Sequence, residues 1–229
     1  ISDLSYELRT PMNSIIGFCY RLVQRLKGDL GERDFDALLT IQSNATHLLG
    51  LINDILDISK IEAGRVVLQF ERLDLAELLR QCQSTAIGLI NSNTQVNLEL
   101  PKRQVPLVAD AVKLRQILTI LLTNAVEHTE NGLIILRLQE CQDERCGDAV
   151  KISVIDNGSG IREQTQALLQ RKFVQLSKLD RGRSGSAGLG LVLAHSFARL
   201  HGGYMDFSSS FGQGSEFYVV LPLEARPPS

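Results

Sequence analysis

Apolar residues recur every three or four positions from Leu4 to Ile61. This spacing predicts α-helices, each with one apolar face. Gly28 and Gly31 interrupt the pattern, so we expect two long helices joined as a hairpin. The two stripes comprise Leu4, Leu8, Met12, Ile15, Cys19, Leu22 and Leu26 in the first helix, and Leu38, Ile41, Ala45, Leu48, Ile52, Ile55 and Ser59 in the second. Because two helices cannot cover both stripes, we expect a homodimer that forms a four-helix bundle.

The pattern changes after Gly64. Short β-type runs alternate with longer runs of helical spacing, and this mixture favours an α/β sandwich with a largely antiparallel sheet. The predicted helices cover 75–90, 111–128 and 189–201. The predicted strands are "VVLQF" (66–70), "QVNLEL", "LIILRLQ", "VKISVID" and "EFYVVLPL".

The fold class is therefore α+β in two domains, a helical hairpin over 1–64 and an α/β sandwich over 65–229. Two segments of the second domain are typical of loops. "QECQDERCGDA" (139–149) predicts the loop of a β-hairpin, and "QLSKLDRGRSGSAG" (175–188) predicts a mobile loop or lid.

Composition narrows the class of protein. The 229 residues are 44% apolar and 22% charged, as in ordinary soluble globular proteins. A net charge of −2 gives no indication of nucleic-acid binding. No apolar run approaches the roughly 20 residues of a membrane span, so we expect no direct membrane contact. The chain begins inside a helical pattern without a signal peptide, which indicates a cytoplasmic fragment of a longer protein. Its four cysteines are scattered and lack the spacing of a zinc site, so we expect reduced thiols.

The segment "VIDNGSGI" (154–161) combines a carboxylate with two glycines at the end of a predicted strand. Asp156 is suited to accept a hydrogen bond from the amino group of adenine. Gly158 and Gly160 would let the backbone approach a ligand closely. The same residues also occur in ordinary turns, so this motif alone does not establish a nucleotide site.

The segment "GSAGLGL" (185–191) leads directly into a predicted helix. Gly188 and Gly190 would expose backbone N–H groups to phosphate at the start of that helix. With "NAVEHT" (124–129), "VIDNGSGI" and "GQGSEF" (212–217) in this order along the chain, the glycine motifs indicate a nucleotide-binding domain.

These motifs resemble those of the sensor histidine kinases of two-component systems. "SYELRTPMN" is similar to their H box, "TNAVEHT" to the N box, "DNGSGI" and "GSAGLGL" to the G1 and G2 boxes, and "GQGSEF" to the last glycine-rich box. The resemblance implies a dimerisation and phosphotransfer hairpin, followed by a Bergerat ATP-binding sandwich over 66–223. It also implies ATP and Mg²⁺ as cofactors, with Asn124 as the metal ligand. Gyrase- and chaperone-type ATPases share the sandwich but lack the hairpin.

Tyr6 occupies the position of the family's phosphoacceptor histidine. It lies about 200° around the helix from Leu4 and Leu8, so we expect it to point away from the apolar stripe. A phenol has a pKa of about 10 and needs a base, for which Glu7 is the candidate. A tyrosyl phosphate is also a stable ester, so transfer to an aspartate would be uphill. We therefore expect the normal phosphorelay to be lost.

The predicted ATP site departs from the family as well. Ile120 replaces a second asparagine and offers no oxygen to Mg²⁺. Glu127 replaces a lysine, and two unit charges about 4 Å apart interact by about 4 kcal/mol at an effective dielectric constant near 20. Alternatively, Glu127 is only a solvated surface charge. The remaining departures are His128 for an aromatic residue, Ser186 for a glycine, and an F box reduced to Phe173.

These departures predict weakened or lost use of ATP and Mg²⁺. They favour a pseudokinase that binds a response-regulator receiver domain or another histidine kinase, in cell-fate or cell-cycle control. One alternative is an active kinase that autophosphorylates on Tyr6. Another is a receiver-domain phosphatase in which Glu7 and Thr10 position a water molecule. We expect a receiver domain to contact the hairpin near Asn13 and Phe18, although Phe18 is also suited to fill a gap beside the stripe. His47, His195 and His201 are expected to be structural.

Overall fold

The computed structural model of the protein describes residues 2–26, 31–90, 93–177 and 189–224. The described residues up to Val66 form one compact unit, and those from Val67 to Glu224, Leu189 apart, form a second. No helix among these residues is long and apolar enough to cross a membrane.

The first unit is an antiparallel hairpin of α1 (Ser2–Arg25) and α2 (Glu32–Glu62). The Arg9 guanidinium donates a hydrogen bond of 2.7 Å to Asn53 Oδ1 and fixes the register of the two helices. Each predicted stripe is only partly covered within one chain. The buried apolar side chains are Met12, Cys19, Ala45 and Leu56, whereas Ile15, Leu22, Ile41, Leu48 and Ile55 are exposed.

The second unit alternates strands and helices, as the sequence predicts. Its elements are β1 (Glu71–Asp74), α3 (Leu75–Leu89), β2 (Gln95–Glu99), β3 (Pro106–Ala109), α4 (Ala111–Glu127), β4 (Leu133–Asp143), β5 (Gly147–Asp156), α5 (Glu163–Ser177), α6 (Leu189–Leu200), β6 (Tyr204–Ser210) and β7 (Gly214–Pro222). The predicted hairpin loop forms the turn between β4 and β5.

Five strands form the main sheet in the order β2-β4-β5-β7-β6, and β1 pairs with β3 in a separate two-stranded sheet. In the main sheet, β2 runs parallel to β4 and the other neighbours are antiparallel. Alternate residues of the central strands are fully buried, among them Ile134, Leu136 and Ile152. Buried faces of α3, α4 and α6 supply the rest of this core. The largely antiparallel α/β sandwich is thus confirmed.

Some predicted elements differ from those observed. The run 66–70 is not a strand, because β1 begins at Glu71 and its partner β3 supplies only four residues, up to Ala109. Four elements were not predicted from the sequence: β1, β3, α5 and β6. The predicted loop 175–188 lies outside the described residues from 178 onward, and its first three residues end α5.

Candidate functional site

Asp156 is the last residue of β5 and is 7% exposed. The backbone N–H of Gly158 donates a hydrogen bond of 2.9 Å to Asp156 Oδ1. Burial raises the pKa of the Asp156 carboxyl, and backbone hydrogen bonds from Gly158 and Ser215 oppose that increase. The carboxyl is therefore fixed at the strand end, where it is suited to accept one further hydrogen bond from a ligand amino group.

Gly158 and Gly160 lie where the backbone is packed too closely for a side chain. A Cβ atom at Gly158 would come within 2.1 Å of the His128 carbonyl oxygen. At Gly160, where φ is +61°, a Cβ atom would come within 2.0 Å of the Ser210 carbonyl oxygen. Packing inside the protein therefore already requires glycine at both positions. Their presence alone gives no independent indication of a ligand.

The loop that carries these glycines is held from two sides. The Ser159 N–H donates to the His128 carbonyl at the end of α4, at 3.2 Å. The Gly212 N–H in the β6–β7 turn donates to the Ser159 carbonyl, at 2.8 Å. The loop after β5 thus contacts the predicted motifs "NAVEHT" and "GQGSEF" directly, and three of the motifs meet at this end of the sheet.

The helix α4 begins at an aspartate cap. The Asp110 carboxylate accepts hydrogen bonds from the backbone N–H groups of Lys113 (3.0 Å) and Gln69 (2.9 Å). His201, which is buried, accepts a hydrogen bond of 3.1 Å from the Asp110 N–H at Nε2, and its Nδ1 lies 2.8 Å from the Phe197 carbonyl oxygen. His201 therefore ties the end of α6 to the start of α4, which agrees with the structural role predicted for it.

The polar side of α4 carries Asn124 and Ile120, one helical turn apart and both partly buried. Ile120 lies directly against the start of α6, because a Cβ atom at Gly190 would come within 3.2 Å of Ile120 Cγ2. An aliphatic side chain thus lies against Gly190, a described glycine of the predicted motif. Glu127 and His128, at the end of the same helix, are exposed.

The described residues fit the two expected cofactors unequally. Asp156 provides a suitable partner for adenine. Magnesium requires oxygen ligands in near-octahedral geometry, and here Asn124 offers one amide oxygen while Ile120 offers none. Within the described ranges, no group of three or more His, Cys, Asp and Glu side chains is placed to hold a metal ion. Ser186 and Gly188 lie outside the described residues.

In the hairpin, Tyr6 and Glu7 belong to α1, but their side chains lie outside the described part of the structure. Thr10 is exposed one turn further along. Phe18 is 61% exposed, with the Arg21 guanidinium 5.5 Å from its ring centroid. Phe18 therefore fills no gap within the hairpin of a single chain.

Several polar residues outside the predicted motifs also have notable surroundings. Asp54 follows Asn53, the residue that accepts the hydrogen bond from Arg9. Burial raises the pKa of the Asp54 carboxyl, and the negative charge of Asp57 raises it further. His195, Arg199 and Arg145 line a cavity away from Asp156. His195 and Arg199 lie one turn apart on α6, and only the fold brings Arg145, in the β4–β5 turn, beside them.

Both units of the chain match known protein families. Residues 109–225 match the family described as histidine kinase-, DNA gyrase B-, and HSP90-like ATPase. Residues 1–64 match the His Kinase A (phospho-acceptor) domain. The chain therefore belongs to the sensor histidine kinase family.

Individual relatives agree with this assignment. The chain is 40% identical to the circadian input-output histidine kinase CikA of Synechococcus elongatus, over 99% of this chain and 31% of that protein. It is 36% identical to the sensor histidine kinase GacS of Pseudomonas protegens, over 97% of this chain and 24% of that protein. It thus spans about a quarter to a third of these curated relatives.

A solved structure matches both units. The crystal structure of full-length ShkA in complex with AMPPNP has a TM-score of 0.73 and 28% sequence identity, over 99% of this chain and 46% of that chain. None of these comparisons tests the tyrosine at position 6. The resemblance to DivL, a histidine-kinase homologue with tyrosine at this position, therefore stays a prediction.

Proposed function

We propose that this chain is the signalling core of a two-component pseudokinase, which dimerises through the hairpin and binds a response-regulator receiver domain or another histidine kinase. The observation that carries the proposal is the packing of Ile120 against Gly190, at the position where relatives place a second asparagine. Together with Tyr6 at the phosphoacceptor position, this change removes both a metal ligand and the normal acceptor. The signal would then depend on the shape of the hairpin, in cell-fate or cell-cycle control.

Dimerisation is supported by the exposed apolar residues of α2. Ile41, Leu48 and Ile55 are spaced seven residues apart and are 51%, 48% and 47% exposed in the single chain. A seven-residue apolar repeat is the pattern by which helices pack against a partner helix. Ile15 and Leu22 form the corresponding exposed pair on α1. A second copy of the hairpin would cover both sets.

Nucleotide binding is supported at the adenine end of the site. The buried Asp156 is held in place by Gly158, and the 28% identical ShkA has been crystallised in complex with AMPPNP. We therefore expect ATP to bind, with only a small contribution from Mg²⁺ because Ile120 offers no oxygen. The reversed charge of Glu127 is exposed and thus partly screened by solvent.

The surface near Phe18 supports the proposed docking of a receiver domain. An aromatic ring that is 61% exposed and flanked by a guanidinium provides the kind of anchor that interfaces favour. Asn13, five positions earlier on α1, is also exposed. Docking on this surface requires no phosphoryl transfer from Tyr6, so the two sites are separable by mutation.

A receiver-domain phosphatase is a second candidate. It is favoured by the exposure of Thr10, one turn beyond Tyr6, at a position from which a hydroxyl group is suited to orient water at a partner's aspartyl phosphate. Loss of receiver dephosphorylation in Thr10→Ala, with unchanged receiver binding, would support this candidate over a purely shape-dependent role. An active kinase acting on Tyr6 would instead incorporate label from ATP.

Two measurements test the pseudokinase. The first is a titration of the purified chain with ATP, with and without Mg²⁺, together with incubation with labelled ATP. We expect nucleotide binding and little or no incorporation of label.

The second is binding to a panel of receiver domains, each with and without an aspartyl-phosphate mimic. Phe18→Ala should weaken binding, whereas the matched Tyr6→Phe should leave it nearly unchanged. Measurable ATP turnover, combined with no receiver or kinase bound to the hairpin, would show that the proposal is wrong.

A further inference from the structure

The ATPase-like unit has a cavity at the end of the sheet opposite Asp156. Asp156, at the end of β5, pairs with Ser215 near the start of β7. Tyr204, at the start of β6 and in the cavity wall, pairs with Val220 near the other end of β7. The cavity has a volume of about 570 Å³, within the usual range of small-molecule sites. Residues that line it include Arg145, Cys146, Gln170, His195, Arg199 and Tyr204.

Two arginines give this cavity its charge. The Arg145 guanidinium lies 4.9 Å from the centroid of the Tyr204 ring, and Arg199 projects from the last turn of α6. Neither arginine takes part in the ion pairs found among the described residues. Both are exposed. Their N–H groups are therefore available to an anion that enters the cavity.

Asp143, at the end of β4, holds the cavity wall beside Arg145 in place. The Tyr204 hydroxyl donates a hydrogen bond of 2.7 Å to Asp143 Oδ2. The backbone N–H groups of Arg145 and Cys146 donate to Asp143 Oδ1, at 2.9 Å each. Asp143 is thus occupied in fixing the turn and the Tyr204 ring. Arg145 stacks on a surface that exists before a ligand binds, which lowers the ordering cost of binding.

Two carboxylates accompany these arginines, Asp206 in the lining and Asp143 at the end of β4 beside it. Asp206 lines the cavity itself. His195 is buried, and burial, followed by the charge of Arg199, lowers its pKa to about 4, so it is neutral near pH 7. Gln170 on α5 adds an uncharged amide. The cations of the lining are therefore the two guanidinium groups, and the Asp143 carboxylate beside them is already engaged by three hydrogen-bond donors.

We propose that this cavity binds a small organic anion, whose carboxylate or phosphate oxygens are held by Arg145 and Arg199. Guanidinium groups bind either type of oxyanion through paired N–H donors. Asp206 disfavours ligands of high negative charge and is suited to accept a hydrogen bond from a donor group of the ligand. This site is separate from the nucleotide site and does not depend on the pseudokinase assignment.

The test is a titration of the ¹⁵N-labelled chain, followed by NMR. The probes are succinate, inorganic phosphate and the neutral succinamide, at constant ionic strength. The amide signals of Gly202 and Gly203, which line the cavity, report on binding, and those of Gly158 and Gly160 report on the distant nucleotide site. We expect saturable shifts at Gly202 and Gly203 with succinate or phosphate and none with succinamide. The probe that saturates at lower concentration identifies the carboxylate or the phosphate class.

Matched variants complete the test. Arg145→Gln and Arg199→Gln should each raise the dissociation constant by about tenfold, because each removes a charge-assisted contact. Arg72→Gln, at an exposed arginine on β1, should leave it unchanged. Unaltered Gly158 and Gly160 signals would show that the variants are folded. No saturable shift below about 10 mM, or equal binding by the three variants, would overturn the proposal.

Discussion

Ile120 Cγ2 lies 3.2 Å from the point that a Cβ atom would occupy at Gly190. This contact joins the polar side of α4 to the first turn of α6, between the N-box and G2-box motifs. The glycine at position 190 allows the start of α6 to lie close to Ile120 on α4. The polar side of α4 therefore carries an aliphatic side chain one turn from Asn124, whereas Asp156 keeps a carboxyl group at the end of β5.

Replacing Ile120 with asparagine should restore metal dependence. The amide would add an oxygen ligand one helical turn from Asn124, so we expect ATP to bind roughly tenfold more tightly in the presence of Mg²⁺. Binding without Mg²⁺ should change little. Calorimetric titration with and without Mg²⁺ measures both values, and Ile120→Leu is the control of similar size without an oxygen. An equal response to Mg²⁺ in the two variants would contradict the prediction.

Restoring the phosphoacceptor alone should not restore the kinase. Tyr6→His supplies an imidazole, but Ile120 and Glu127 remain at the ATP site. We expect little incorporation of labelled phosphate by Tyr6→His, and a clear increase when Ile120→Asn and Glu127→Lys are added. Full activity of the single variant would instead identify an intact kinase whose acceptor had been replaced.

Substitution of Gly160 and of Gly212 by alanine should have different effects on stability, because only one of them adds steric overlap to backbone strain. Both have positive φ, +61° and +78°, but only at Gly160 does an added Cβ meet another atom, the Ser210 carbonyl oxygen at 2.0 Å. Gly212→Ala should lower the free energy of unfolding by about 1 kcal/mol. Gly160→Ala should lower it by at least about 2 kcal/mol, since strands must also move. Urea unfolding of both variants gives the comparison, and equal losses would argue against the close packing of this loop.

Acid should destabilise the ATPase-like unit through His195. Burial lowers the pKa of His195 to about 4 in the folded state, whereas an unfolded histidine titrates near pH 6.5. The unfolded state therefore binds the proton first as the pH falls. The stability contributed by the neutral imidazole is fully present above about pH 6.5 and is lost progressively towards pH 4.

The measurement is the thermal unfolding midpoint at pH 7 and at pH 4.5. The decrease between these values should be smaller in His195→Gln than in the unsubstituted chain, whatever the absolute stability of the variant. His47→Gln, at an exposed histidine on α2, should show the full decrease. Identical decreases in all three proteins would remove His195 as the cause.

A charge in the exposed heptad should dissociate the dimer. Leu48 is 48% exposed in the single chain and lies between Ile41 and Ile55 in the seven-residue repeat. Leu48→Glu would place a carboxylate in the predicted helix interface, so light scattering should show a mass shift from dimer towards monomer. Thr46→Glu, on another face of α2, is the control and should stay dimeric. A monomeric unsubstituted chain at micromolar concentration would refute the bundle itself.

Much of the fold was predictable because its hydrophobic spacing is regular. The helices α3, α4 and α6 and the strands β4, β5 and β7 carry strong apolar periodicity, and all were predicted. The strand β6 was missed because its sequence "YMDFSSS" is mainly polar, and it is held by pairing with β7. The run 66–70 was wrong for the opposite reason. Its residues have β-type composition, yet Val67 is 85% exposed and no partner strand extends that far.

The candidate site was predictable only in part. The order of the motifs predicted that the segment with Asp156 and its glycines lies near "NAVEHT", and the structure places this segment beside the end of α4. The sequence could not show that neighbouring carbonyl groups already require Gly158 and Gly160. It also could not reveal the cavity of Arg145 and Arg199, because those residues share no motif and meet only through the β4–β5 turn and the end of α6.

The parallel pairing of β2 with β4 has a consequence for how this unit folds. The hairpins β4–β5 and β6–β7 each join strands across a short turn, so their closure costs little chain entropy. The strand β2 meets β4 only after β3 and α4 have been brought across the sheet. We therefore expect the antiparallel centre to assemble early. The edge formed by β2 and the α3 helix packed on it would join last and open first.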